Sequence, residues 1–312
     1  MQKIVVSLPV DHSGATVYLK GWQHRQSKRA LVVVSGIGET ISCYDSVVDE
    51  FVAKGYSVYV YDLRGHGRSG RRMGHIPSFL SLVNDLLQVA AWVKQRENGQ
   101  APVILGCGVG AVISCEFARQ YPQFCSEIVM CSPTLDLIRK INFFQYHALK
   151  ICSEILPGVR VAPMFLPTFL KEMLLSLQRY NTASSTAFMK YSFKFLWVIA
   201  FRASHGIDIF KTITDKPILV LHSEFDPICS YRTIKKLSLV HNNIGLKLKE
   251  IAGENHHFIF EKPADVVSLI DDWFDVDLQK SKTQKSDQIS SRKDRVGATK
   301  SIKPDRSAIE KV

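Results

Sequence analysis

The stretch Val103-Ile104-Leu105-Gly106-Cys107-Gly108-Val109-Gly110 decides how this chain is read. The apolar run Val103 to Leu105 predicts a short strand. The glycines that follow at alternate positions let the backbone turn tightly and pass close to itself. Helical spacing of apolar residues then runs from Gly110 to Tyr121, so the unit is strand, turn, helix. A dinucleotide-binding loop fits it poorly. The G-x-G-x-x-G spacing fails because position 111 is alanine, and such a loop opens a first βα unit, not one in mid-chain.

Outward from this unit, short apolar runs alternate with helical patterns, which predicts a mostly parallel sheet covered by helices. Ile4 to Pro9 and Ala15 to Trp22 read as a strand pair joined near Ser13-Gly14. Ala30 to Val34 and Ser57 to Tyr61 are continuous runs of the kind found in strands buried on both faces. A helix is expected over Tyr44 to Lys54, ending at Gly55, and another over Phe79 to Lys94. After the strand Ile128 to Cys131 the pattern breaks. From Thr134 to Thr214 no strand is evident. Apolar, aromatic-rich helical segments (INFFQYHALKI, MFLPTFLKEMLLSL, FMKYSFKFLWVIAF) are separated by Pro157, Pro163 and Pro167. The rhythm then resumes with strand Pro217 to His222, helix Tyr231 to Val240, strand Leu246 to Ile251 and helix Pro263 to Phe274. The expected fold is α/β, with an eight-stranded sheet. Its core is formed by 1–133 and 215–278, a helical cap or lid by 134–214 and a basic tail by 279–312.

Composition agrees. The 312 residues are 46% hydrophobic, enough for one large core. No run of eighteen apolar residues is free of charge, so no membrane span is predicted. The opening MQKIVVSLPVDHSG has too short an apolar run for a secretory leader, and seven unpaired-looking cysteines suit a reducing, cytoplasmic setting. Net charge is +11. Lys280 to Val312 holds ten Lys/Arg and four Asp/Glu, a net +6, which leaves 11 − 6 = +5 for the rest. That tail has the composition of a solvated segment. It either has no partner or meets the anionic inner face of a membrane. Nothing in the chain suggests nucleic-acid binding.

Three loops follow predicted strands, where parallel sheets gather their ligands. The first holds Gly108. The second holds Asp226, in LVLHSEFDPICS, which can orient a histidine or simply form an Asp-Pro turn. The third is Gly253-Glu254-Asn255-His256-His257, where a histidine suits a general base. G-x-G-x-G after a strand is the frame of the nucleophile elbow G-x-S-x-G, with glycine in the serine's place. The order elbow, acid, histidine is that of the serine hydrolases of this fold.

Ser35-Gly36-Ile37-Gly38-Glu39-Thr40 with Tyr44, and YDLRGHGRSG over Tyr61 to Gly70, resemble signatures of the monoacylglycerol-lipase and bacterial lysophospholipase group of α/β-hydrolases, which is serine aminopeptidase S33-like. These signatures are H-G-x-G-E-x and Y-D-x-R-G-H-G-x-S-x-G. GENHHFIFE resembles that group's histidine loop and LHSEFDPI its acid loop. The resemblance runs over about 10 to 276. It implies ester hydrolysis of monoacylglycerol, lysophospholipid or another acyl ligand, with no cofactor and no metal. By it, His256 rather than His257 is the catalytic histidine, Asp226 the acid, and the backbone N–H groups of Ile37 and Val109 the oxyanion donors. Two departures stand out: Ser35 replaces a histidine, and Gly108 replaces the nucleophile. Cys107, next to it, should point away from the histidine, and Ser114 lies farther along the helix. Three readings remain open. They are an impaired ester hydrolase, a non-catalytic lipid- or partner-binding pseudoenzyme, and water-only hydrolysis or lyase chemistry run by His256 and Asp226.

Overall fold

The computed structural model describes residues 1–12, 14–136, 142–162, 190–241, 243, 245–253 and 256–275. The chain forms two compact units, Met1–Val267 and Ser268–Val312. Of the second, 268–275 are described, as the end of a helix over 263–275. The expected tail over 279–312 lies outside the described residues. So does the middle of the expected lid, residues 163–189, including Pro163, Pro167 and the segment MFLPTFLKEMLLSL.

An eight-stranded sheet forms the centre of the first unit. Its strands are β1 (Gln2–Pro9), β2 (Thr16–Gln23), β3 (Ala30–Val34), β4 (Ser57–Tyr61), β5 (Val103–Cys107), β6 (Ile128–Cys131), β9 (Ile218–Ser223) and β10 (Leu246–Ile251). Their spatial order is β1-β2-β4-β3-β5-β6-β9-β10. β1 and β2 pair antiparallel, as do β2 and β4; the remaining neighbours are all parallel. This is the α/β-hydrolase architecture. The central strands β3, β4, β5 and β6 are buried at every residue, which is why their sequences carry no polar alternation. β10 lies at the sheet's edge and alternates, with Lys247, Lys249 and Glu250 exposed.

Helices α1 (Asp45–Ala53), α2 (Phe79–Arg96) and α3 (Val109–Gln120) follow β3, β4 and β5. Gly55 just beyond α1 takes a positive φ of 87°, as a helix C-terminus requires. Ser78 caps α2 by accepting the Ser81 N–H, and Lys94 and Arg96 complement its C-terminal dipole.

Within the expected lid, α4 (Phe143–Ile155) begins with a capping box made by Asn142 and Gln145. α5 (Phe193–Lys211) packs on α4 and on α3, with the Tyr146 and Trp197 rings 4.7 Å apart. The sequence suggested no strand in this region. The structure has a minimal antiparallel pair, β7 (Arg160–Val161) with β8 (Tyr191–Ser192). Two residues per strand are too few to leave a periodic signature. α6 (Tyr231–Val240) and the short α7 (Phe258–Glu261) follow, ahead of the helix over 263–275. Among the described residues no helix is long and apolar enough to cross a membrane.

Candidate active site

The loops that leave β3, β5, β6, β9 and β10 at their C-terminal ends supply the candidate residues. At the elbow, β5 passes into α3 through Gly108, whose φ of 53° and ψ of −118° lie in a region that L side chains rarely adopt. Its flanking glycines are required by contact. A Cβ on Gly106 would lie 2.6 Å from Ala111 Cα, and one on Gly110 would lie 2.1 Å from Val34 O. Gly108 is different. A Cβ there would sit at ordinary contact distance, 3.6 Å from both His256 Nε2 and Thr134 Oγ1 and 3.9 Å from Gly36 Cα. The turn is tied down by its own amides: Gly108 N donates to Cys131 O at 3.0 Å, and Thr134 N donates to Gly108 O at 3.1 Å.

Asp226 and His256 meet. His256 Nδ1 donates to Asp226 Oδ2 at 2.8 Å, and both side chains are buried. Asp226 Oδ1 accepts the backbone N–H groups of Ile228 and Cys229 at 2.8 and 2.9 Å. Burial alone would raise the Asp226 carboxyl. The His256 charge and hydrogen bond outweigh it, and the pKa falls to about 2. His256 answers in the opposite sense: burial opposes its charge, and Asp226 holds it well above the ordinary imidazole value. A second histidine, His222, places Nε2 3.9 Å from the same Asp226 oxygen, and burial lowers its pKa.

His257 faces elsewhere, with Nδ1 3.9 Å from Glu39 Oε1 and its ring stacked on Phe260. Cys107 lies beside Cys131 and Tyr44, where burial pushes its thiol up. Ser114 donates to Gly110 O at 2.7 Å within its own helix. Ser35 is fully buried, and its hydroxyl has no partner among the described residues.

The N–H groups of Ile37 and Val109 meet no acceptor among the described residues. Val109 is the first residue of α3, so its amide is one of the free donors of a helix start. Ile37 is carried by a loop that Glu39 braces. The Glu39 carboxylate, buried, accepts the Gly36 N–H and the Tyr44 hydroxyl. The second motif braces the same region: Asp62 accepts the Ile41 and Arg68 N–H groups, each at 2.9 Å. Arg64 forms a two-nitrogen pair with buried Asp85. His66 is buried beside the Tyr191 and Phe195 rings, and burial lowers it to about 4.

Sequence reasoning assigned no role to Thr134 or Cys229. Thr134 is buried with an unpartnered hydroxyl that would contact a side chain at position 108. Cys229, Asp226 and His256 bring sulfur, oxygen and nitrogen within 4.8 Å of one another. Their signal was position: each stands three residues beyond a landmark, Thr134 past β6 and Cys229 past Asp226.

The profile of the family described as "Serine aminopeptidase, S33" matches residues 25–263. The chain is 29% identical over 151 residues to the monoglyceride lipase homolog of monkeypox virus, which is 47% of this chain and 54% of that protein. It is 29% identical over 143 residues to phospholipase YtpA of Bacillus subtilis, 45% of this chain and 54% of that protein. These matches span about half the length of the curated relatives. A soluble variant of the monoglyceride lipase of Saccharomyces cerevisiae shares the fold. Its TM-score is 0.70 at 17% identity, over 88% of this chain and 95% of that one. With its motif loops and the matched residues 25–263 both falling on this sheet, the chain belongs to the serine aminopeptidase S33 family of α/β-hydrolases.

Proposed function

We propose that the chain is an ester-hydrolase site of the monoacylglycerol-lipase and lysophospholipase type. In this reading it takes up a monoacylglycerol, lysophospholipid or related acyl ligand and is catalytically impaired because Gly108 stands in the nucleophile's place. One observation carries this reading. His256 Nε2 lies 3.6 Å from where a Cβ at 108 would be, while Nδ1 is held by Asp226. That is the disposition in which a base takes a hydroxyl proton and a carboxylate orients the base. The free N–H groups of Ile37 and Val109 support it as donors to a developing oxyanion.

With no hydroxymethyl at 108, and where no other side chain takes the acyl group, His256 would act on water in the space beside Thr134, in slow general-base hydrolysis. A non-catalytic reading has its own support. Asp226 raises the His256 imidazole above its ordinary value, which favours the protonated ring, and a protonated ring is a poor base. The test is hydrolysis of lysophosphatidylcholine and p-nitrophenyl butyrate by the native protein and by Gly108→Ser. Removing the nucleophile of a triad lowers turnover by about 10⁶-fold, which bounds the gain that serine can restore. Adding His256→Ala to Gly108→Ser should abolish that gain. A folded Gly108→Ser protein with no esterase activity overturns the proposal. For the tail, we propose contact with an anionic membrane. Flotation with phosphatidylserine vesicles should weaken on removing 280–312; unchanged flotation rejects it.

A further inference from the structure

The site contains a thiol that neither the family pattern nor the mechanism above uses. Cys229 is fully buried, on the loop that carries Asp226. Its sulfur lies within 4.8 Å of ligating atoms of both His256 and Asp226. It is near enough to His256 for the imidazole to act on its ionisation, and the Thr134 hydroxyl acts on it too. Thr134 Oγ1 is itself 1% exposed at the residue level and makes no regular hydrogen bond among the described residues. It would also lie 3.6 Å from a Cβ at position 108. The thiol thus lies beside the imidazole, and the imidazole and the Thr134 hydroxyl border the space left by the missing serine side chain.

We infer that Cys229 is the acyl acceptor of this site, so that Cys229, His256 and Asp226 form a thiol triad in place of the serine one. This rests on the reading of His256 and Asp226 as the base pair of an ester site. The Cys229 sulfur attacks the ester carbonyl and His256 takes the thiol proton. The bond to the alcohol breaks and His256 passes that proton to the leaving alkoxide, which leaves an S-acyl cysteine. Water then attacks the thioester and gives its proton to His256, which returns it to the sulfur as the carboxylic acid departs. No oxidant or metal enters either half.

Burial raises the Cys229 thiol above its ordinary value, so it rests protonated. That is no obstacle, since the serine of a triad also rests protonated and loses its proton to histidine as it attacks. A thiolate is also the better intrinsic nucleophile. Cys107 does not compete, because it sits beside Cys131 and Tyr44.

The experiment is acid-quenched mass spectrometry of the full chain after mixing with p-nitrophenyl butyrate, with peptide mapping. The expected result is one butyryl group on Cys229, removable by hydroxylamine. It should be absent from Cys229→Ala and slowed about a hundredfold in His256→Ala. No adduct, or an adduct on Cys107 or a lysine, overturns the inference. Gly108→Ser with Cys229→Ala serves as the folding control. If that double variant hydrolyses the ester while the native chain is never acylated at Cys229, the ester site stands and the thiol triad falls. If neither protein reacts, both fall.

Discussion

His256 Nδ1 stands 2.8 Å from Asp226 Oδ2, and the two groups shift each other's ionisation in opposite senses. The pair is most favourable as imidazolium and carboxylate. The Asp226 contribution to stability is present above 3.8 and is lost as pH falls toward about 2. The His256 contribution is present below 6.5 and is lost as pH rises through its raised value. Base catalysis needs the deprotonated ring. The acid limb of ester hydrolysis by Gly108→Ser should therefore lie above 6.5. Asp226→Asn should move that limb down and lower kcat by about 10⁴-fold. A limb that Asp226→Asn leaves in place would show that another group titrates.

Gly108→Ser should fold at a modest loss. Its Cβ finds ordinary contacts, but a φ of 53° with ψ of −118° strains an L residue by about 1–3 kcal/mol. The measure is the urea midpoint at constant m. A loss above about 4 kcal/mol would mean that the loop cannot hold a side chain there.

Gly110→Ala should fail where helix propensity says it should help. Alanine outranks glycine in a helix by about 1 kcal/mol. At 110, however, its Cβ would enter the Val34 and Ser35 carbonyl oxygens, at 2.1 and 2.6 Å. We expect insoluble protein, or a thermal midpoint lowered by more than 10 °C, roughly 3 kcal/mol or more on the usual scaling. A stable, native-like Gly110→Ala protein would refute this close approach of β3 and α3.

Arg64→Ala should destabilise the chain by about 3–5 kcal/mol, because it leaves Asp85 buried without its cation. Its side chain is 1% exposed, so water cannot easily replace the guanidinium. Arg64→Lys should recover only part, since one ammonium cannot reproduce the two-nitrogen contact made by Nε and Nη2. Denaturant unfolding of both variants reads the difference.

Much of this fold could be read from the chain because β-branched runs such as ALVVV and SVYVY have few alternatives to a buried strand. All eight sheet strands were predicted within a residue or two, and the mostly parallel character of the sheet followed from the helices between them. The lid was hardest to read. Its apolar segments have no single periodic face, and β7 and β8 are fixed by each other rather than by local preference. At the site, Asp226 and His256 were legible because loops after strands converge. Glu39 was legible only as a motif letter. Its work is to hold the Gly36 amide and the Tyr44 hydroxyl at once, a contact between residues that spacing alone cannot reveal. Cys229 was hidden by its own chemistry: a buried cysteine reads as packing until an imidazole is found beside it.

The three glycines of the elbow are held by different forces. Gly106 and Gly110 are fixed by neighbours that leave no volume, whereas the space at Gly108 would admit a side chain. Losing or regaining a hydroxymethyl at 108 therefore leaves the rest of the molecule nearly untouched. The packing that holds the elbow and the side chain at its centre are therefore set independently.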